Sequence, residues 1–180
     1  MESAFAWLGQ IFESLLQLFP RRVIVRATEA GVKWSLWREP KEMKPGIRFY
    51  WPFITDIEVI AVARQTLNTP TQSLMTKDHK TVVAGGVVIY KINDIVQAIG
   101  KQNCNPDDTV GDIAKATIVD VVSKWTCDSL LCNISEDVEE HLTETCRKQL
   151  RQYGVYVSRA ALDNFSIVKQ LNHTGINNGL

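Results

Sequence analysis

Residues 44–94, "KPGIRFYWPFITDIEVIAVARQTLNTPTQSLMTKDHKTVVAGGVVIYKIND", decide the fold. Pro45 and Gly46 predict a turn, and "IRFYWPF" after them reads as extended. In the run 56–67, Ile57, Val59, Ala61 and Ala63 alternate with Glu58, Ile60, Val62 and Arg64. That period of two predicts a strand whose Glu58/Arg64 face is partly wet. "SLMT" and "TVVAGGVVIYKI" then read as two strands around Lys77-Asp78-His79-Lys80. The tetrapeptide holds an acid, an imidazole and two amines, so it is either a small catalytic cluster or a polar bend. As a bend, Asp78 hydrogen-bonds its own backbone two residues on, and the lysines keep the tip in water. Gly85-Gly86 predict a bulge, or a place where another backbone comes close.

On the N-terminal side, "RVIVRAT" and "GVKWSLW" read as strands, and "EPKEMKPG", with two prolines and a glycine, as a turn. On the C-terminal side the period changes to that of helices. Asp94 caps a short helix that stops at Gly100. After "NPDD", Val110, Ala114, Thr117, Ile118 and Val121 recur at helical spacing. Ser135 caps a further helix with the stripe Val138, Leu142, Cys146, Leu150, ended by Gly154. Residues 155–168 return to strand character, and 169–180 are a flexible polar tail. Strands, then two or three packed helices, then a closing strand predict an α+β fold with a β-rich N-terminal half.

Residues 1–20 predict an amphipathic helix. Phe5, Leu8, Phe12, Leu15 and Phe19 share one stripe, while Gln10, Glu13 and Gln17 lie opposite. Pro20 ends the pattern and Arg21-Arg22 follow. Such a helix suits a bilayer interface, or the stripe packs on its own domain or a neighbouring subunit.

Composition bounds the chemistry. The chain has 180 residues, 45% hydrophobic, with twenty basic balancing twenty acidic groups, so no whole-protein field draws it to nucleic acid. Cys104, Cys127, Cys132 and Cys146 form no CxxC pair, which argues against a disulfide or metal role and for a reducing compartment. Cys146 reads as a small hydrophobe. Glu2 and the lack of a small-x-small site argue against a secretory leader, and Glu13 interrupts the one candidate spanning run. No local geometry joins His79, His141 or His173 to a cysteine, and His141-x-x-Glu144 reads as a solvated helix face. Gly85-Gly86 lack the sequel of a phosphate loop. No catalytic residue, metal or cofactor is expected.

The order of motifs resembles the SPFH, or band 7, domain of stomatin, prohibitin and flotillin. Its marks here are Pro45-Gly46, Pro52 and Asp56, then Arg64-Gln65-x-Leu67, Pro70 and Gln72. Thr76-Lys77-Asp78 and the run to Tyr90-Lys91-Ile92 and Asp94 complete it, and the likeness covers about 23–168. The resemblance implies a membrane-associated scaffold, on the cytoplasmic face, that assembles with itself into a ring or cage and serves membrane proteins such as proteases or channels. Within that implication Phe5, Trp7, Leu8, Phe12, Leu15, Phe19, Arg21, Arg22, Trp51 and Phe53 are the expected membrane contacts. Pro45, Gly46, Pro52, Pro70, Lys77 and Asp78 are fold-motif positions. Phe49-Tyr50-Trp51-Pro52-Phe53 suits an interfacial anchor or, equally, strand packing; alternation turns Trp51 outward. Family members usually continue into a long coiled coil, and the sequence here ends about a dozen residues after Val168, which implies a short member without a tall cage. The alternative is a soluble interaction module whose N-terminal helix docks on a partner.

Overall fold

The structure, a computed structural model, describes residues 19–100, 105–132 and 137–168. Of the helix expected over residues 1–20, residues 1–18 lie outside the described residues, as do the Ser135 cap and the 169–180 tail. Strands β1 (Arg21–Val25), β2 (Glu29–Ser35), β3 (Arg38–Met43), β4 (Gly46–Tyr50), β5 (Thr55–Ala61), β6 (Gln65–Met75) and β7 (Thr81–Ile92) come first. Helices α1 (Ile95–Gly100), α2 (Pro106–Lys124), α3 (Cys127–Cys132) and α4 (Asp137–Leu150), a 3₁₀ turn and closing strand β8 (Val155–Ile167) follow. This is the α+β order expected.

The chain divides into two compact units. The first comprises the chain up to Gln65 with Tyr90–Thr109 and Leu150–Tyr156. It holds the β1–β4 ribbon and the antiparallel sheet β3-β2-β5. Its core is Ala30, Val32, Ile92, Ile95, Ala98 and Ile99, with Trp34, Ile60, Val62 and Val96 packed against them. Ile60 and Val62 therefore face the core, which corrects the expectation that their side of the 56–67 run is the wetter one. Two apolar side chains outweigh the flanking Glu58 and Arg64. Asp94 caps α1 by accepting the Gln97 N–H at 3.0 Å. Gly154, at φ 71°, ends the 3₁₀ turn, and its carbonyl accepts the N–H groups of Asn93 and Asp94 at 2.9 and 3.1 Å.

"EPKEM" is not a turn but most of β3. β3 is an edge strand, where a proline's missing N–H leaves no ladder partner stranded. The register moves from Lys33↔Lys41 to Ser35↔Arg38, so Glu39 and Pro40 oppose Trp34 alone, a bulge.

The second unit comprises Thr66–Ile89, Val110–Gln149 and the chain from Val157 on. Pro70, expected between strands, lies inside β6, which is also an edge. Beside it, the Thr69 hydroxyl accepts the Gly86 N–H at 2.8 Å and donates to the Gly86 carbonyl at 2.9 Å. Gly86 is the close approach its glycine pair predicted: a Cβ there would meet the Ala161 carbonyl oxygen and Ile118 at 2.8 Å. The apolar face of α2, with Val110, Ala114, Ile118 and Val121, is buried, as are Val138, Leu142 and Cys146 of α4. Across β8, Thr143 of α4 accepts the Ala160 N–H at 2.9 Å, and Arg147 donates to the Val157 carbonyl at 3.1 Å.

Candidate functional site

β1 is "RRVIV", rich in β-branched residues that favour extended backbone. Pro45 and Gly46, at φ 137°, turn the chain so that β4 returns beside it. The register pairs Arg22 with Phe49 and Ile24 with Ile47, and between them Arg21 with Tyr50, Val23 with Arg48, and Val25 with Gly46. Directly opposed residues share a face, and alternate pairs lie on opposite faces. One face is therefore Arg22, Ile24, Ile47 and Phe49; the other holds Val25, which is buried, and Val23 and Tyr50, which are half-buried. Ile24, Ile47 and Phe49 remain 61%, 64% and 70% exposed. The Arg22 face thus turns three large apolar side chains and a guanidinium to solvent, and Arg21 and Arg48, on the other face, are exposed as well.

β4 ends at Tyr50, and Trp51–Ile54 form a turn in which the Ile54 N–H reaches the Trp51 carbonyl at 3.1 Å. Trp51, Phe53 and Ile54 are exposed on it. Trp51 is outward because of this turn, not by strand alternation. The tip of the β2–β3 hairpin, Leu36 and Trp37, is exposed too, and the Leu36 N–H bonds the Ile54 carbonyl at 3.2 Å. An open notch of about 270 Å³ between tip and turn is lined by Trp34, Leu36, Pro52, Phe53 and Ile54 among others.

Of the fifteen exposed large hydrophobic residues among those described, nine fall within 19–54: Phe19, Ile24, Leu36, Trp37, Ile47, Phe49, Trp51, Phe53 and Ile54. The same segment carries eight Lys/Arg against three Glu, a net +5 in a chain whose total is zero. Of the expected contacts, the structure brings Arg21, Arg22, Trp51, Phe53 and Phe19 onto this unit's surface, all exposed. Phe5, Trp7, Leu8, Phe12 and Leu15 lie outside the described residues. Sequence reading missed Ile24, Leu36, Trp37 and Ile47, and it missed the charge segregation. A charge count in windows of a few dozen residues finds the latter.

The 77–80 cluster is a structural clasp. Asp78 Oδ1 accepts the Thr76 hydroxyl at 2.6 Å and the Cys127 N–H at 2.9 Å, and its Oδ2 lies 3.0 Å from Lys80 Nζ. Asp78 therefore caps α3 rather than bonding its own backbone two residues on, which corrects the bend chemistry expected. The Thr76 hydroxyl first, then the Cys127 N–H, hold its carboxyl well below the usual carboxylate range. The Lys77 N–H donates to the Trp125 carbonyl at 3.0 Å, and His79 is exposed with φ 60°. α3 itself, which has Thr126 bonding the Ser129 N–H at 3.3 Å, was not expected from sequence. In the first unit, the buried Tyr90 hydroxyl bonds the Asp107 carboxylate, and burial pushes it above the ordinary phenol range. That phenol is a donor held in place, not a base.

Among the described residues no three His, Cys, Asp or Glu are grouped to hold a metal ion. No helix among them is long and apolar enough to cross a membrane. Cys127 and Cys146 are buried thiols, and burial raises that of Cys146.

Comparison with known proteins gives a match of residues 23–174 to the SPFH domain / Band 7 family. An uncharacterized protein of Archaeoglobus fulgidus is 22% identical over 165 residues, 92% of this chain and 66% of that protein. One from Methanocaldococcus jannaschii is 26% identical over 153 residues, 85% of this chain and 76% of its own length. Stomatin of Mus musculus is 22% identical over 127 residues, 71% of this chain and 44% of stomatin. The chain thus spans from under half to about three quarters of the length of these relatives.

Proposed function

The chain belongs to the SPFH domain / band 7 family, and we propose from that membership that it is a non-enzymatic, membrane-associated scaffold. In this reading it self-assembles into ring-like oligomers on the cytoplasmic face and organises or restrains other membrane proteins. The observation that carries the membrane contact is the exposed apolar and cationic surface of residues 19–54. Nine uncovered large apolar side chains within one segment are more than singly scattered surface hydrophobics, and exposed apolar surface of this kind marks interaction sites. Aromatic residues beside arginines match the chemistry of a bilayer interface, apolar below and phosphate-lined above. Burying one large side chain fully is worth roughly 1.5–3 kcal/mol, so several half-immersed ones suffice for reversible binding.

Liposome flotation of the full chain tests the membrane half. Recovery with vesicles at low salt is expected, and Trp51→Ser/Phe53→Ser should lower it without loss of fold by circular dichroism. A chain that stays in the soluble fraction fits the alternative of a soluble docking module. Mass photometry with lipid and with detergent tests assembly; a monomer in both would overturn the ring.

A further inference from the structure

Resting on that membrane reading, we propose that the β1–β4 ribbon selects anionic over zwitterionic lipid, with Arg22 as the cation on its apolar face. Three observations meet here. First, the register fixes Arg22 on the same face as Ile24, Ile47 and Phe49, directly opposite Phe49. A guanidinium at that position enters the headgroup layer whenever the apolar three enter the acyl boundary. Second, Arg21, Arg22, Arg38, Lys41, Lys44 and Arg48 are exposed, and none has a side-chain hydrogen bond or ion pair among the described residues. Arg26 does pair, with Glu29 at 3.9 Å. Outside this segment Lys80, Lys115, Lys124 and Arg159 have carboxylate partners, whereas Arg64, Lys77, Lys148 and Arg151 have none among the described residues, so it is the number of cations gathered in one stretch that sets the segment apart. Third, the net +5 of residues 19–54 is offset by acids elsewhere in the chain, so the field is local.

A cation held at an apolar interface is stabilised by a neighbouring anion and poorly by a surface of zero net charge. Arginine forks onto phosphate oxygens in two parallel hydrogen bonds, which a lysine cannot reproduce. The surface supplies the cations in excess and leaves the counter-charge to the partner. An anionic leaflet supplies it over the same plane that takes up Ile24, Ile47 and Phe49. A nucleic acid would meet the arginines but leave that aliphatic pair in water.

The test is flotation of the full chain with phosphatidylcholine vesicles and with vesicles containing about a third phosphatidylserine, at low salt and at about 0.5 M salt. At low salt, recovery on the anionic vesicles should exceed that on the neutral ones at least about tenfold, and high salt should remove most of the difference. Arg22→Gln should lower anionic-vesicle partition about fivefold, from about 1 kcal/mol per basic residue, and leave neutral-vesicle partition unchanged. Lys115→Gln, whose ammonium is paired with Asp112, should change neither. Equal recovery on both lipids at both salts overturns the anionic selection while the membrane reading stands. Recovery on neither overturns the membrane reading itself. Full anionic binding by Arg22→Gln overturns the assignment to this face. Binding of a single-stranded oligonucleotide as tight as that of anionic vesicles replaces the lipid with a general polyanion.

Discussion

Thr69→Val exchanges a hydroxyl for a methyl of nearly the same shape, and it removes the partner of two main-chain groups at once. The Gly86 N–H (2.8 Å) and carbonyl (2.9 Å) both end on the Thr69 oxygen. Thr69 is 7% exposed and Gly86 is buried, so water does not replace the hydroxyl. Nor can Gly86 shift to find another partner, because the Ala161 carbonyl and Ile118 already crowd it. Each orphaned buried group costs about 1–3 kcal/mol. The added buried methyl returns about 0.8 kcal/mol. The net loss is then about 1–5 kcal/mol, or roughly 2–20 °C in melting temperature for a chain of this size. Thr69→Ser keeps the oxygen and should cost about 1 kcal/mol or less. Urea midpoints of the two variants make the comparison, and amide exchange at Gly86 should quicken in the valine variant alone. A Thr69→Val protein within about 0.5 kcal/mol of the parent, or serine and valine variants equally damaged, would show that the shared hydroxyl is not what holds β7 at this point.

Asp78 gives a pH dependence whose sign follows from its depressed pKa. Its stabilisation is complete above the unfolded carboxylate value near ~4 and fades as pH falls toward the lower folded value. Urea midpoints of wild type and Asp78→Asn should therefore differ at pH 7 and converge in acid; a gap that widens in acid refutes this. Gly154→Ala should destabilise by about 2–5 kcal/mol, combining left-handed backbone strain with overpacking, since its Cβ would overlap the Asp94 carbonyl. Thermal melting checks it, and a shift under about 2 °C refutes it. His79→Gly should stabilise by about 0.5–1 kcal/mol, because glycine accepts φ 60° without a Cβ penalty. Equal melting temperatures would place no strain there. Phe49→Ser should leave stability within about 0.5 kcal/mol and cut vesicle partition about 5–30-fold, as its 70% exposed ring leaves about 1–2 kcal/mol still to gain from lipid. Unchanged flotation would take Phe49 off the contact surface.

What the sequence made legible was local. The Asp94 cap, the Gly154 stop and the stripe Val138, Leu142, Cys146 and Leu150 all depend on residues within a turn or two of each other, and all appear as read. The misreadings depend on partners far along the chain. Pro40 and Pro70 look like strand breakers, and they are tolerated because β3 and β6 are edges, a property that exists only once the sheets form. Asp78 looks like a self-contained turn residue, yet the N–H it caps belongs to Cys127. Helix α3 has six residues, too few for a helical period to register. On the candidate surface, alternation in "RRVIV" separates Arg22 and Ile24 from Val23 and Val25, but both sets are largely apolar. Nothing local says that Val25 is the buried one.

The sheet edges bear on how the proposed self-assembly can proceed. An exposed regular edge invites a second chain to add a strand, and natural proteins block this with proline, bulges or covering side chains. β3 has Pro40 and its bulge. β6 has Pro70 at mid-strand. Along β8, Thr143 and Arg147 of α4 occupy the main-chain groups of Ala160 and Val157. On β5 the Ile57 N–H is taken by the Asp56 carboxylate at 2.9 Å, and the Ala61 carbonyl by the Gln65 amide at 2.8 Å. Strand addition at any of these edges must displace a bond or work around a missing donor. Faces do not carry that penalty: Ile24, Ile47 and Phe49 are uncovered without breaking anything. A contact that uses those side chains, with lipid or with another subunit, costs the fold nothing it already has. The two occupants compete for one surface, so variants that lose vesicle binding but keep their oligomeric mass assign the ribbon face to lipid.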